Sequence, residues 1–166
     1  MATGNTLIIF HPLQSEPPAA NYATLDTRNN HVVGDFDDTT DETLYFTGIL
    51  PRHYGGGGIT VYIHYAMTSA TSGKVRWDVA FERIGDGSQD IDADGFAAAK
   101  SVNVAAVDAT SGNIDIAAIA FSDGAEIDSI AVGETFRVKV TRSPSDATND
   151  TATGDTELIG LELKET

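Results

Sequence analysis

Between Val75 and Glu82 the side chains alternate without a break. Val75, Trp77, Val79 and Phe81 are large and apolar, whereas Arg76, Asp78, Ala80 and Glu82 are charged or small. A two-residue period is the repeat of a pleated strand with one face in a core and the other toward water. The same alternation turns Ile59, Val61, Ile63 and Tyr65 inward, then Phe136, Val138 and Val140, and finally Ile159, Leu161 and Leu163. A chain built on this repeat must pair its strands and cover their apolar faces.

Weaker strand signals lie over residues 6–10, 31–36, 44–50, 100–107 and 114–121. Polar and Gly-rich connections separate most of them. Short links at 69–73 and 110–113 predict two hairpins, one joining strands 59–68 and 74–84, the other joining the strands on either side of Thr110–Asn113. Residues 124–133 predict one short helical turn. Residues 143–154 hold no large apolar side chain and predict a mobile polar loop. About eight or nine strands without a long helical pattern predict an all-β antiparallel sandwich of the jelly-roll kind. Pro12, Pro17 and Pro18 interrupt the first thirty residues. Proline fixes φ and removes an amide donor, so 1–30 is expected to be an extended arm and 31–166 a single sandwich domain.

Composition narrows the roles. Twenty-five acids face ten Lys and Arg, a net charge of -15. Nucleic-acid binding takes its affinity from basic residues on phosphates, so neither nucleic acid nor an anionic membrane suits this surface. There are no cysteines, which excludes disulfides and thiolate metal centres. The opening residues lack a basic, then apolar, leader pattern, so no signal peptide is expected. No Gly-x-Ser-x-Gly elbow occurs, and Gly55–Gly58 runs into a strand without the Lys-Ser or Lys-Thr of a phosphate loop.

Two acidic runs are the sharpest local features. Asp90, Asp92 and Asp94, followed by Gly95, have the alternate carboxylates of a calcium loop, where hard oxygens wrap a hard cation. The position that should carry a bidentate Glu holds Ser101, and the competing reading is a solvated acidic turn. No other cofactor is expected. Asp35, Asp37, Asp38, Asp41 and Glu42 form the second run. Paired carboxylates act on glycosidic bonds, but like charges crowded in one turn normally stay in water. Trp77 falls on a core face. Among the tyrosines, Tyr54 and Tyr62 are expected to be the most exposed of Tyr22, Tyr45, Tyr54, Tyr62 and Tyr65. Small residues crowd 97–99, 105–106 and 117–120, and Ala105 and Ala117 are candidates for a subunit contact. In the arm, Ile8, Phe10, Pro12, Pro17, Pro18 and Tyr22 are candidates for reaching a neighbour.

Several segments together resemble a group of tailed-bacteriophage virion proteins: residues 21–29, Asp35-Phe36-Asp37, 46–51, 69–73, 75–82, 136–140 and 154–158. The resemblance implies a structural virion component, assembled in the host cytoplasm and without catalytic machinery. The role that follows is a capsid decoration (cement) protein. It would be a homotrimer that clamps the major capsid protein, with the arm as its reaching element. A receptor- or carbohydrate-binding domain of a tail fibre or appendage is the alternative. A glycan-acting enzyme using the 35–42 acids ranks third.

Overall fold

The computed structural model describes residues 4–166; residues 1–3 of the expected arm and leader region lie outside them. Two antiparallel sheets pack face to face. One contains β1 (Thr6–Phe10), β3 (Thr24–Arg28), β4 (His31–Phe36), β6 (Ile59–Met67), β9 (Ile114–Phe121) and β11 (Thr156–Glu165). Its order is β3-β4-β11-β6-β9, with β1 pairing to β11 beyond the end of β4. The other runs β2 (Ser15–Glu16), β5 (Glu42–Ile49), β10 (Thr135–Arg142), β7 (Val75–Ile84), β8 (Lys100–Val104). This is the expected all-β sandwich, with eleven strands among the described residues.

The period-two residues meet in the middle, with one exception: a bulge between Leu158 and Gly160 breaks the alternation of β11, so Leu158 is buried in place of the expected Ile159, which stays half-exposed. Trp77 is fully buried, with the rings of Phe36 and Tyr65 edge-on to it at 5.1 and 5.4 Å. Phe81 packs in the same manner on Phe121 at 5.0 Å. Such tilted contacts place the positive ring edge against the negative face of its neighbour. The short turn expected in 124–133 is a 3-10 helix over Ala125–Ile127.

Three expectations change. Neither predicted hairpin forms: β6 and β9 lie in one sheet, β7 and β8 in the other. The short links permit a hairpin, but β6 pairs with β11 and β9, while β7 pairs with β10 and β8. Each connection therefore crosses the sandwich. The first thirty residues do not extend away as an arm. β1 pairs with β11, β2 with β5 and β3 with β4. Phe10 is 2% exposed and its ring lies 5.6 Å from that of Phe46; the run 7–10 is apolar throughout, and β1, bulged between Thr6 and Ile8, buries Leu7 and Phe10. The prolines fall between these strands, where their missing N–H costs no ladder bond.

The third change concerns 143–154, which is anchored. Arg142 closes β10 on its inward face and is completely buried. Its guanidinium donates to both Asp150 carboxylate oxygens, at 3.2 and 3.0 Å. It also donates to the carbonyls of Phe36 (3.3 Å), Gly154 (2.9 Å) and Ala152 (3.0 Å). A buried charge is tolerated only when paired and fully hydrogen-bonded. This cation therefore dictates the path of the segment that follows it.

The acids of 35–42 complete the same junction. Asp41 accepts from the Ser145 amide and hydroxyl at 2.9 and 2.6 Å. Asp38 accepts from the Gly154 amide, and Asp155 from that of Asp38. Asp37 accepts from the amides of Thr39 and Thr40, and Glu42 from that of Asp37. Asp35 is the exception. One of its oxygens is buried without a partner. Burial, then the neighbouring Asp155, Glu157, Asp26 and Glu42 carboxylates, pushes its carboxyl up to about 6.

Two outcomes follow. Asp150→Ala strands the Arg142 charge and should cost about 3–5 kcal/mol in chemical denaturation. Asp35 binds its proton more tightly folded than unfolded, so its ionisation erodes stability as pH rises from about 4 to 6. Asp35→Asn should therefore raise the melting midpoint at pH 7 by about 2–4 °C, the size of ~1 kcal/mol in a domain this large, and the gain should vanish below pH ~4.

Candidate binding face

The strands that bury Phe46, Val138 and Phe81 inward present their other side chains outward. Strand register arranges these in rows across the β2-β5-β10-β7-β8 sheet. Thr43, Thr141 and Asp78 form one row with Ser101; Tyr45, Lys139 and Ala80 form the next; Thr47, Arg137 and Glu82 form a third. The Thr43 and Thr141 hydroxyls are 2.7 Å apart. Arg76 reaches Asp78, Asp146 and Ser101 along the margin.

Phe96 joins this face from the segment between β7 and β8. The Ala97 amide donates to the Phe81 carbonyl at 2.8 Å, holding that segment along β7. Ala80, the small residue on this side, is fully buried, which leaves room for cover over the strand. Phe96 stacks on Tyr45 with ring centroids 5.2 Å apart and planes 29° from parallel. The Arg137 guanidinium lies 5.1 Å from the Tyr45 ring and 5.3 Å from that of Phe96. The Lys139 ammonium lies 5.1 Å from the Phe96 ring. Cations at such distances are drawn to the negative ring faces, which fixes otherwise flexible side chains.

Electrostatics fix Arg137 further. Its Nε donates to Glu82 at 2.5 Å, and this hydrogen bond holds the guanidinium above its ordinary pKa against the opposing effect of burial. Lys139, like Arg52, Lys74 and Lys164, has no carboxylate within ion-pair distance among the described residues, whereas Arg28, Arg76, Arg83, Lys100, Arg137 and Arg142 do. On a chain of charge -15, a free ammonium beside a half-exposed aromatic pair is a marked local departure. Two aromatic rings flanked by fixed donors and acceptors suit a ligand with an apolar face and polar edges.

The sequence-predicted residues fall elsewhere. Asp90, Asp92 and Asp94 are exposed, and they do not converge. Asp90 accepts from the Asp92 amide and Asp94 from that of Gly95, so each closes its own loop. No group of three His, Asp or Glu side chains able to hold a metal occurs among the described residues. Of the arm candidates, Phe10 and Pro12 are buried in the chain's own core, Ile8 packs against it, and Pro18 is half-buried. Pro17 and Tyr22 are exposed and line a shallow cleft with Ala23 and Leu25. Ala117 is buried on the inner side of β9, whereas Ala105 is exposed beyond β8; they are not on adjacent strands.

Tyr54 is buried, not exposed. Its hydroxyl donates to Asp123 at 2.8 Å and accepts from the Gly58 amide at 3.0 Å. Gly58 has φ +92, and a Cβ there would meet the Phe121 carbonyl at 2.4 Å. The glycine run is thus a fitted corner more than a flexible entry. Tyr62 is half-buried on the opposite sheet, opposite Glu162 and Ala118. Phe96, Arg137 and Lys139 were not singled out from sequence. The available signal was a lone aromatic in the polar stretch 85–99, beside a strand whose outward positions are basic.

No protein-family model and no curated protein matches the chain. Solved structures do match in fold. The CBM35 from Cellvibrio japonicus Abf62 is similar at TM-score 0.53 and 12% identity, over 95% of this chain and 92% of that one. The xylan-binding module CBM15 gives 0.51 at 6% identity, over 96% and 97%. The family 11 carbohydrate-binding module from Clostridium thermocellum gives 0.50 at 10% identity, over 98% and 96%. At these identities the likeness is one of fold: the chain has the two-sheet architecture of these modules over nearly its whole length.

Proposed function

We propose that this chain is a non-catalytic carbohydrate-binding domain, and that the outer face of the β2-β5-β10-β7-β8 sheet holds the sugar. The observation that carries the reading is the Tyr45–Phe96 pair, flanked by Arg137 and Lys139. A pyranose ring has an apolar C–H face and a rim of hydroxyls. Its face stacks on the aromatic rings, while Arg137, Lys139, Thr47 and Thr141 reach the hydroxyls. Because Arg137 is clamped by Glu82 and the rings, little side-chain freedom is lost on binding.

The likeness in fold to a xylan-binding module and to a module solved with a β-1,3-1,4-mixed-linked tetrasaccharide supports the same class. A hydrolase reading loses its residues, since Asp37, Asp38, Asp41 and Glu42 serve the turn that joins β4 to β5 and the 143–155 crossing. A capsid-clamp reading loses its reaching element, because β1, β2 and β3 all pair within the sandwich. The phage resemblance is compatible with the sugar reading, in which the domain would hold a surface glycan from a virion appendage.

Affinity electrophoresis through xylan, mixed-linkage β-glucan and mannan gels, with a glycan array for surface sugars, tests the proposal. The wild-type chain should be retarded by at least one polymer or bind at least one array glycan. Tyr45→Ala and Phe96→Ala should each weaken that binding about tenfold or more while leaving the melting midpoint within a few degrees. Full binding by both variants would place the sugar elsewhere, and no binding across gels and array would remove the reading.

A further inference from the structure

Every open sheet carries edge strands whose outward N–H and C=O groups lack partners, and folded proteins blunt such edges. Four edges here are blunted. β2 has two residues. β8 has five and begins with Lys100. β3 is polar and carries Asp26 and Arg28. β1 is also five residues long and bulged between Thr6 and Ile8.

β9 is different. It is eight residues long, Ile-Asp-Ile-Ala-Ala-Ile-Ala-Phe, with no Pro, Gly, Lys or Arg. It pairs with β6 along one side in an unbroken register from Ile114 to Phe121. Among the described residues no backbone hydrogen bond beyond that ladder reaches it. Its solvent-side residues are Ile114, Ile116, Ala118 and Ala120, with Ile114 and Ile116 50% and 57% exposed.

Charge decides what can occupy this edge. A chain of net charge -15 repels its own copies nearly everywhere. β9 carries a single charge, Asp115, and that carboxylate already accepts the Asp108 amide at 2.9 Å. An antiparallel pair of two β9 strands keeps faces matched when like positions meet about Ala117 or Ala118. Asp115 then lies opposite Ile119 or Phe121, never opposite the partner's Asp115. Ile116 lies opposite Ala118 or Ala120, so small residues receive the large ones across the seam.

We infer that β9 is a strand-pairing edge for a second copy of this chain, joining two sandwiches antiparallel into one continuous sheet about a two-fold axis. Such an interface is self-complementary, and it supplies the partners that the outward backbone groups lack. It leaves the outer face of the other sheet open on both copies, so a dimer presents two faces to one polymer and gains avidity.

Light scattering over a concentration series from about 5 to 500 µM, with amide hydrogen exchange, reads this directly. The wild-type mass should rise toward twice that of the monomer, and exchange within Ile116–Ala120 should slow about tenfold or more at the upper concentrations. The double variant Ile116→Lys/Ala120→Lys should stay monomeric with unchanged circular dichroism. Ile9→Lys, on the outer face of the same sheet but on β1, should dimerise as wild type does. A wild-type monomer throughout the series, concentration-independent exchange in β9, or loss of dimer in Ile9→Lys would each overturn the inference. The exchange measurement needs no variant, so it decides the matter even if the lysine substitutions unfold the chain.

Discussion

The buried guanidinium of Arg142 organises this molecule. It stands where β10 ends in one sheet and the chain must cross to β11, the strand on which the other sheet is built. β11 pairs with β4, β6 and β1, so its placement sets the order of that sheet. A fully desolvated cation tolerates no unfilled donor, and Asp150 with the carbonyls of Phe36, Ala152 and Gly154 answers it. A segment lacking any large apolar side chain is thereby as firmly placed as a strand. The surrounding carboxylates are consumed in the same task, and Asp35, buried and then crowded by them, has its carboxyl raised above the ordinary range.

That division of labour leaves the proposed ligand face outside the acidic junction. Acids near 35–42 and 146–155 pin the crossing. Tyr54 and the glycine run brace the opposite end. On the outer face of the β2-β5-β10-β7-β8 sheet, Arg137 neutralises the buried Glu82 and Arg76 with Asp78 holds the margin of the crossing, whereas Tyr45, Phe96 and Lys139 pin no turn. Tyr45, Phe96, Arg137 and Lys139 hold one another through stacking and cation–ring contacts, while keeping polar groups near the surface. Under the carbohydrate-binding proposal, this aromatic platform with anchored donors is what would meet the apolar face and hydroxyl rim of a sugar.

The strands were legible because their physics is local. The alternation of Val75–Glu82 and of Phe136–Thr141 gave both inner and outer faces correctly, and Trp77 sits where that pattern puts it. Pairing was not legible. Ser69–Gly73 has every local property of a hairpin link, yet β6 pairs with β11 and β9 while β7 pairs with β10 and β8, so both edges of each strand are taken and the two fall in different sheets. Loop order escaped for a related reason: the partners that fix 143–154 are distant in sequence, and the central one, Arg142, reads as an ordinary outward strand residue until its inward parity is counted. The proposed ligand face rests on a contact across three strands, between Phe96 and Tyr45, that no spacing in the sequence announces. The acidic motifs drew the eye instead, and they turned out to be turn chemistry.

The central claim is that the sugar lies on the Tyr45–Phe96 face. A ¹H–¹⁵N correlation titration with xylo- and mixed-linkage gluco-oligosaccharides tests it without any substitution. The account predicts saturable shifts for at least one of them, concentrated in residues 43–47, 96–101 and 137–141. Saturable shifts confined to the 54–58 and 123–132 loops, or to the outer face of the opposite sheet, would contradict it.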